Sequence, residues 1–156
     1  MLLDLPWREQ LLHCGRHERC EILYEHLIVE ELDLPPEEHW ELVIETWSMA
    51  EYQSTSSFFA SWIEILEWQK PIDKYLKGIP DGEFKVYRGG VPWGLSWTLD
   101  KEKAEWFLKR KLEDDPSELL SEKTVSKSSD VKFYDNSREE HEVVIVTDYV
   151  RENFTM

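Results

Sequence analysis

The sequence predicts an α+β protein, with N-terminal helices packed on a small mixed or antiparallel sheet. Two observations predict it. Up to Gly82 the apolar residues recur at three- and four-residue spacing, the period of a helix with one buried face. Beyond Gly82 they alternate, the period of a strand. A chain of 156 residues is long enough for one ordinary domain with a real core.

The first helical pattern covers residues 6–31, with Trp7, Leu11 and Leu12 and then Ile22, Leu23, Leu27 and Ile28 at helical spacing. Gly15 divides or bends it. Pro35-Pro36 followed by Glu37-Glu38 is a helix start, because proline fits the first turn and carboxylates favour the positive end of the dipole. Trp40, Val43, Ile44 and Trp47 give that helix its apolar face. Ser54-Thr55-Ser56-Ser57 offers a loop and an N-cap before a helix over 58–68, where Phe59, Trp62, Ile63 and Leu66 repeat the spacing. Pro71 begins a further short helix, Lys77-Gly78 stops it, and Ile79-Pro80-Asp81-Gly82 is a turn.

Phe84, Val86 and Arg88 alternate with Lys85 and Tyr87 along the first predicted strand, and Leu95 to Leu99 gives the second. Asp100 can cap a helix over 101–111, with Ala104, Phe107 and Leu108 facing inward. Residues 113–121 read as loop or frayed helix. Thr124 to Ser126, Val131 to Tyr134 and Val143 to Val146 complete the strands, and the polar Asp135-Asn136-Ser137-Arg138 turn pairs the last two. The expected division is an acidic helical region, 1–80, and a β-rich region, 81–156. The turn between them is too short for a flexible linker, so the two are expected to pack as one unit.

Charge is distributed unevenly. The net charge is −15, and between Arg19 and Lys70 there are twelve Asp and Glu residues and no lysine or arginine. Such a field repels free nucleic acid and attracts basic surfaces, so a partner, if the surface is more than a solvated acidic face, is expected to be a protein with a basic surface, not DNA or RNA. No apolar run approaches membrane-spanning length, and the N-terminus lacks the basic start and apolar stretch of a secretory signal. The expected compartment is therefore the cytosol, with no membrane partner. Cys14 and Cys20 are too few for a disulfide scaffold. His13, Cys14, His17 and Cys20 sit at helical spacings that match no standard zinc pattern, so no metal site is expected.

Three segments in fixed order carry chemistry: Val86-Tyr87-Arg88-Gly89-Gly90, Gly94-Leu95-Ser96-Trp97-Thr98, and Glu140-His141-Glu142 running into Val143-Val144-Ile145-Val146. Taken singly, each has a plain structural reading, as a strand arginine, solvent-side hydroxyls and a charged turn before an edge strand. Together they supply an arginine for phosphate, hydroxyls at alternate positions, and carboxylates at alternate positions for a developing sugar cation. In an extended strand Glu140 and Glu142 would project from one face and His141 from the other.

This order resembles the ADP-ribosyltransferase superfamily of the Arg–Ser–Glu type, above all its compact phage and bacterial members. The resemblance covers roughly the C-terminal half, with a looser likeness in the helices before it. It implies a sheet of ADP-ribosyltransferase type and NAD as substrate. Arg88 matches the family arginine on the phosphate or ribose side of NAD, and Gly89 and Gly90 would let backbone approach the ligand. Ser96 matches the family serine that holds the catalytic glutamate, Thr98 the third residue of the same strand, and Glu142 the catalytic glutamate itself. Glu140 matches the residue that prepares an incoming nucleophile, and a glutamate there accompanies transfer to arginine. Trp97 departs from the family's middle position, but alternation turns it away from the pocket, towards the core or another partner. Trp93 or Trp106 could stack on the nicotinamide or adenine. The resemblance thus implies a mono-ADP-ribosyltransferase acting on a protein, phage- or bacterium-encoded and working in the bacterial cytosol. The alternative is a catalytically inactive acidic binding protein that mimics nucleic acid or docks a basic host protein.

Overall fold

The computed structural model describes residues 5–14, 18–49, 56–112 and 119–154. The chain divides into two compact units, Met1–Ile72 with Asn153–Met156, and Asp73–Glu152. The division precedes the Ile79 to Gly82 turn, which therefore belongs wholly to the second unit.

In the helical unit the first predicted helix is two helices, α1 (Arg8–His13) and α2 (Arg19–Tyr24), and α2 runs on into a π-helical turn, Glu25–Val29. Periodicity does not reveal this widening, since the turn still buries Leu27. Gly15 and His17 lie outside the described residues. Helix α3 (Pro36–Met49) opens on Pro36, whose missing N–H would have no partner in a first turn anyway. Helix α4 (Ser56–Glu67) follows; Ser54 and Thr55, expected in its cap, lie outside the described residues. Trp40, Trp47 and Trp62 are fully buried, and the rings of Trp47 and Trp62 meet edge-on at 5.0 Å. Polar ties close the unit: Trp40 Nε1 donates to the Lys70 carbonyl at 2.8 Å, and the Arg8 guanidinium pairs with Glu45 at 2.7 Å. Among the described residues no helix is long and apolar enough to cross a membrane.

The second unit is a five-stranded sheet: β1 (Glu83–Gly89), β2 (Ser96–Thr98), β3 (Leu120–Ser126), β4 (Val131–Asp135) and β5 (Glu142–Ile145), in the order β3-β1-β2-β5-β4. Every neighbouring pair is antiparallel. Strand β3 begins at Leu120, inside the polar stretch read as loop or frayed helix. Its polar residues are accommodated because β3 is an edge strand with one partner, β1. Helix α5 (Lys101–Leu112) starts as expected, with Asp100 Oδ1 accepting from Glu102 N at 3.0 Å. The Pro71 helix is reduced to a 3-10 turn at Asp73–Tyr75. A final helix, α6 (Asp148–Phe154), was not foreseen.

One face of the sheet carries Val86, Trp97, Val125, Val131, Val143 and Ile145, joined by Leu76 and Ile79 in a single apolar cluster. Trp97 is thus in the core, one of the two places that alternation left open to it. The other face meets α5, where a Cβ at Gly89 would lie 2.8 Å from the Leu108 backbone nitrogen. Gly89 is therefore needed for helix–strand packing.

Candidate active site

The site is built where β1, β2 and β5 lie side by side. In the β2–β5 register Ser96 opposes Val144 and Thr98 opposes Glu142. Ser96 and Glu142 are then diagonal neighbours on one face. The Ser96 hydroxyl donates to Glu142 Oε2 at 2.5 Å, the short end of the range for a hydroxyl on a carboxylate. The directly opposed Thr98 takes a different partner. Its hydroxyl donates to the Glu140 carbonyl at 2.8 Å and accepts from Asp100 N at 3.0 Å, and the residue is buried.

Arg88 reaches the same serine from the other side. Tyr87 pairs with Thr98, so alternation puts Arg88 on the Trp97 face and Ser96 and Glu142 on the α5 face. The guanidinium meets Ser96 through the main chain: Nη1 donates to the Ser96 carbonyl at 2.8 Å and Nε to the Val91 carbonyl at 3.0 Å. Ser96 joins two other predicted site residues, with its carbonyl on Arg88 and its hydroxyl on Glu142.

The segment between β1 and β2 is fastened from several sides. Ser121 Oγ donates to the Gly90 carbonyl at 3.1 Å, Lys123 Nζ to the Pro92 carbonyl at 3.1 Å, and Trp97 Nε1 to the Gly94 carbonyl at 2.7 Å. The Lys123 ammonium also lies over the Trp97 ring at 5.0 Å, and burial holds its pKa below the usual lysine range against the opposing pull of Asp130. Gly94 makes room for Arg88, since a Cβ there would lie 2.3 Å from Cζ. Lys123 was not singled out from the sequence, and Gly94 was named only as the first residue of the second segment, with no role of its own.

The expectation that Glu140 and Glu142 share one face of an extended strand is corrected. Strand β5 begins at Glu142, and the residues flanking Glu140 are left-handed, Glu139 at φ +58° and His141 at φ +50°. The Asn136 side chain draws in His141 N at 2.9 Å and Thr98 holds the Glu140 carbonyl, so the chain turns a corner at Glu140. Glu140 is half-buried at that corner. Asp135 faces Glu142 across β4–β5, and its carboxylate accepts from Ser137 N at 2.9 Å.

Trp93 and Trp106, the two aromatic candidates, are 36% and 48% exposed. Trp106 stands on α5 between two cations, Lys103 Nζ at 5.5 Å and Arg110 Cζ at 4.8 Å from its ring centre. Among the described residues no cluster of three or more His, Cys, Asp or Glu side chains could hold a metal ion.

Comparison of the chain with models of known families, with curated proteins and with solved structures finds no match.

Proposed function

We propose that the protein is a mono-ADP-ribosyltransferase that transfers the ADP-ribosyl group of NAD to an arginine of a target protein. The observation that carries this reading is the junction at Ser96, whose hydroxyl holds Glu142 and whose carbonyl holds Arg88. In the proposed reaction the bond between nicotinamide and ribose breaks and its electron pair leaves on the nicotinamide nitrogen. The ribosyl cation is stabilised by Glu142, whose carboxylate Ser96 fixes before any charge develops. A guanidine nitrogen of the target attacks the ribosyl carbon, and its proton passes to Glu140. Arg88 braces the Ser96 main chain from the other face of the sheet and Gly89 seats α5, so neither takes the phosphate-side role that the resemblance implies, while Thr98 supports the wall.

The test is labelling. Purified protein with labelled NAD and a bacterial lysate should label a protein band, and Glu142→Gln should reduce that labelling at least a hundredfold, the scale of losing a preorganised electrostatic group. Equal labelling by the variant would remove Glu142 from the reaction.

A second reading, an acidic binding protein without catalysis, is favoured by the surface of the helical unit. Glu21, Glu25, Glu30, Glu31, Glu37 and Glu41 are all exposed, in a stretch without a single lysine or arginine. Binding of a basic partner to that surface would weaken steeply with salt.

A further inference from the structure

The corner at Glu140 is held by both main-chain and side-chain hydrogen bonds. Two left-handed non-glycine residues flank it, a conformation that persists only where the surroundings over-determine it. Four bonds to main-chain groups do part of this: Glu139 N to the Asn136 carbonyl at 3.0 Å, His141 N to Asn136 Oδ1 at 2.9 Å, Leu99 N to the His141 carbonyl at 3.2 Å, and the Thr98 hydroxyl to the Glu140 carbonyl at 2.8 Å. The remaining contact joins two side chains. Tyr134 OH and His141 Nδ1 lie 2.8 Å apart.

That last contact ties the corner to the core. Tyr134 packs against the apolar cluster of the sheet, and its ring fills the space a Cβ at Gly78 would enter, with Cε2 at 3.0 Å. Burial, reinforced by the neighbouring Asp135 carboxylate, keeps the phenol protonated well into the alkaline range. With a neutral imidazole that carries its proton on Nε2, the phenol donates to Nδ1. His141 is thereby anchored, between the two glutamates, to a ring that the core holds still.

We propose that Tyr134 and His141 are positioning residues that aim Glu140 at the incoming nucleophile, separately from Glu142, which Ser96 holds. This rests on the transferase reading above. The two glutamates then have independent supports: the Ser96 hydroxyl for the residue that stabilises the ribosyl cation, and the Tyr134–His141 pair for the residue that takes the proton. Removing the second support affects transfer and spares cleavage.

Tyr134→Phe keeps the packed ring and removes only the hydroxyl. Transfer to protein arginine should fall about tenfold, while nicotinamide release in the absence of acceptor stays within about twofold of wild type. His141→Asn, at a backbone conformation that asparagine tolerates, should give the same split. Amide exchange supplies a readout independent of NAD: exchange at His141 N–H should quicken in Tyr134→Phe. Transfer and nicotinamide release falling together, neither changing, or exchange at His141 remaining as in wild type would overturn the proposal. A wild type that releases no nicotinamide would refute the transferase reading instead, and amide exchange would still decide whether Tyr134 braces the corner.

Discussion

In the helical unit the largest fully buried side chains are three indoles, and the main buried polar exception is His39, whose two ring nitrogens have no hydrogen-bond partner among the described residues. In the sheet unit, at the ends of β1, β2 and β5, a guanidinium, two hydroxyls and a carboxylate are linked through Ser96 and the Glu140 corner. Stability in the first region comes from apolar area and shape. In the second, groups that are costly to bury are each given a fixed partner, the arrangement expected where charge has to stand ready for a reaction. A substitution should therefore act on stability in the helical unit and on chemistry in the sheet unit.

The largest expected effect on stability is Trp47→Ala. Loss of a fully buried indole that meets Trp62 edge-on should destabilise the helical unit by about 3–5 kcal/mol. Urea unfolding followed by circular dichroism measures it, and a loss under about 1 kcal/mol would mean the site collapses around the cavity.

Acid sharpens the contrast. Burial lowers the His39 pKa from 6.5 to about 4. Between those values the unfolded chain binds a proton that the folded chain refuses, so the His39 contribution is present in full above pH 6.5 and is lost as pH falls towards 4. From pH 7 to pH 5 the loss should be about 2 kcal/mol, and His39→Phe should remove that slope. Identical slopes for the two proteins would place the acid sensitivity in other groups.

Gly94→Ala should have a smaller effect on stability, about 1–3 kcal/mol, because the new methyl must displace the Arg88 guanidinium. Its effect on activity should be the larger one, since moving Arg88 disturbs the Ser96 carbonyl it holds. A stability loss with unaltered NAD cleavage would make Arg88 a clamp of the segment between β1 and β2 and nothing more.

Much of this was legible in the sequence. Pro36 as a helix start, Asp100 as a cap, and the change of period at Gly82 each follow from local backbone physics, and each stands in the structure. The pairing of Val131 to Tyr134 with the last strand follows from alternation and an Asp-Asn-Ser turn. Tertiary arrangements were not legible. Sequence spacing placed Glu140 and Glu142 on one strand face, but the Asn136 and Thr98 side chains bend the chain there, and neither contact has a local signature. Strand β3 starts in a polar stretch because edge position, a property of the whole sheet, tolerates it. The need for a glycine at 94 is invisible until Arg88 is seen lying against it.

The most direct test of the central claim is nicotinamide release from NAD by purified wild type beside Glu142→Gln, with unfolding curves confirming that both are folded. Release by wild type and at least a hundredfold less by the variant is the predicted result. Equal rates, or no release by a folded wild type, would contradict the claim that Ser96 holds Glu142 ready for a ribosyl cation.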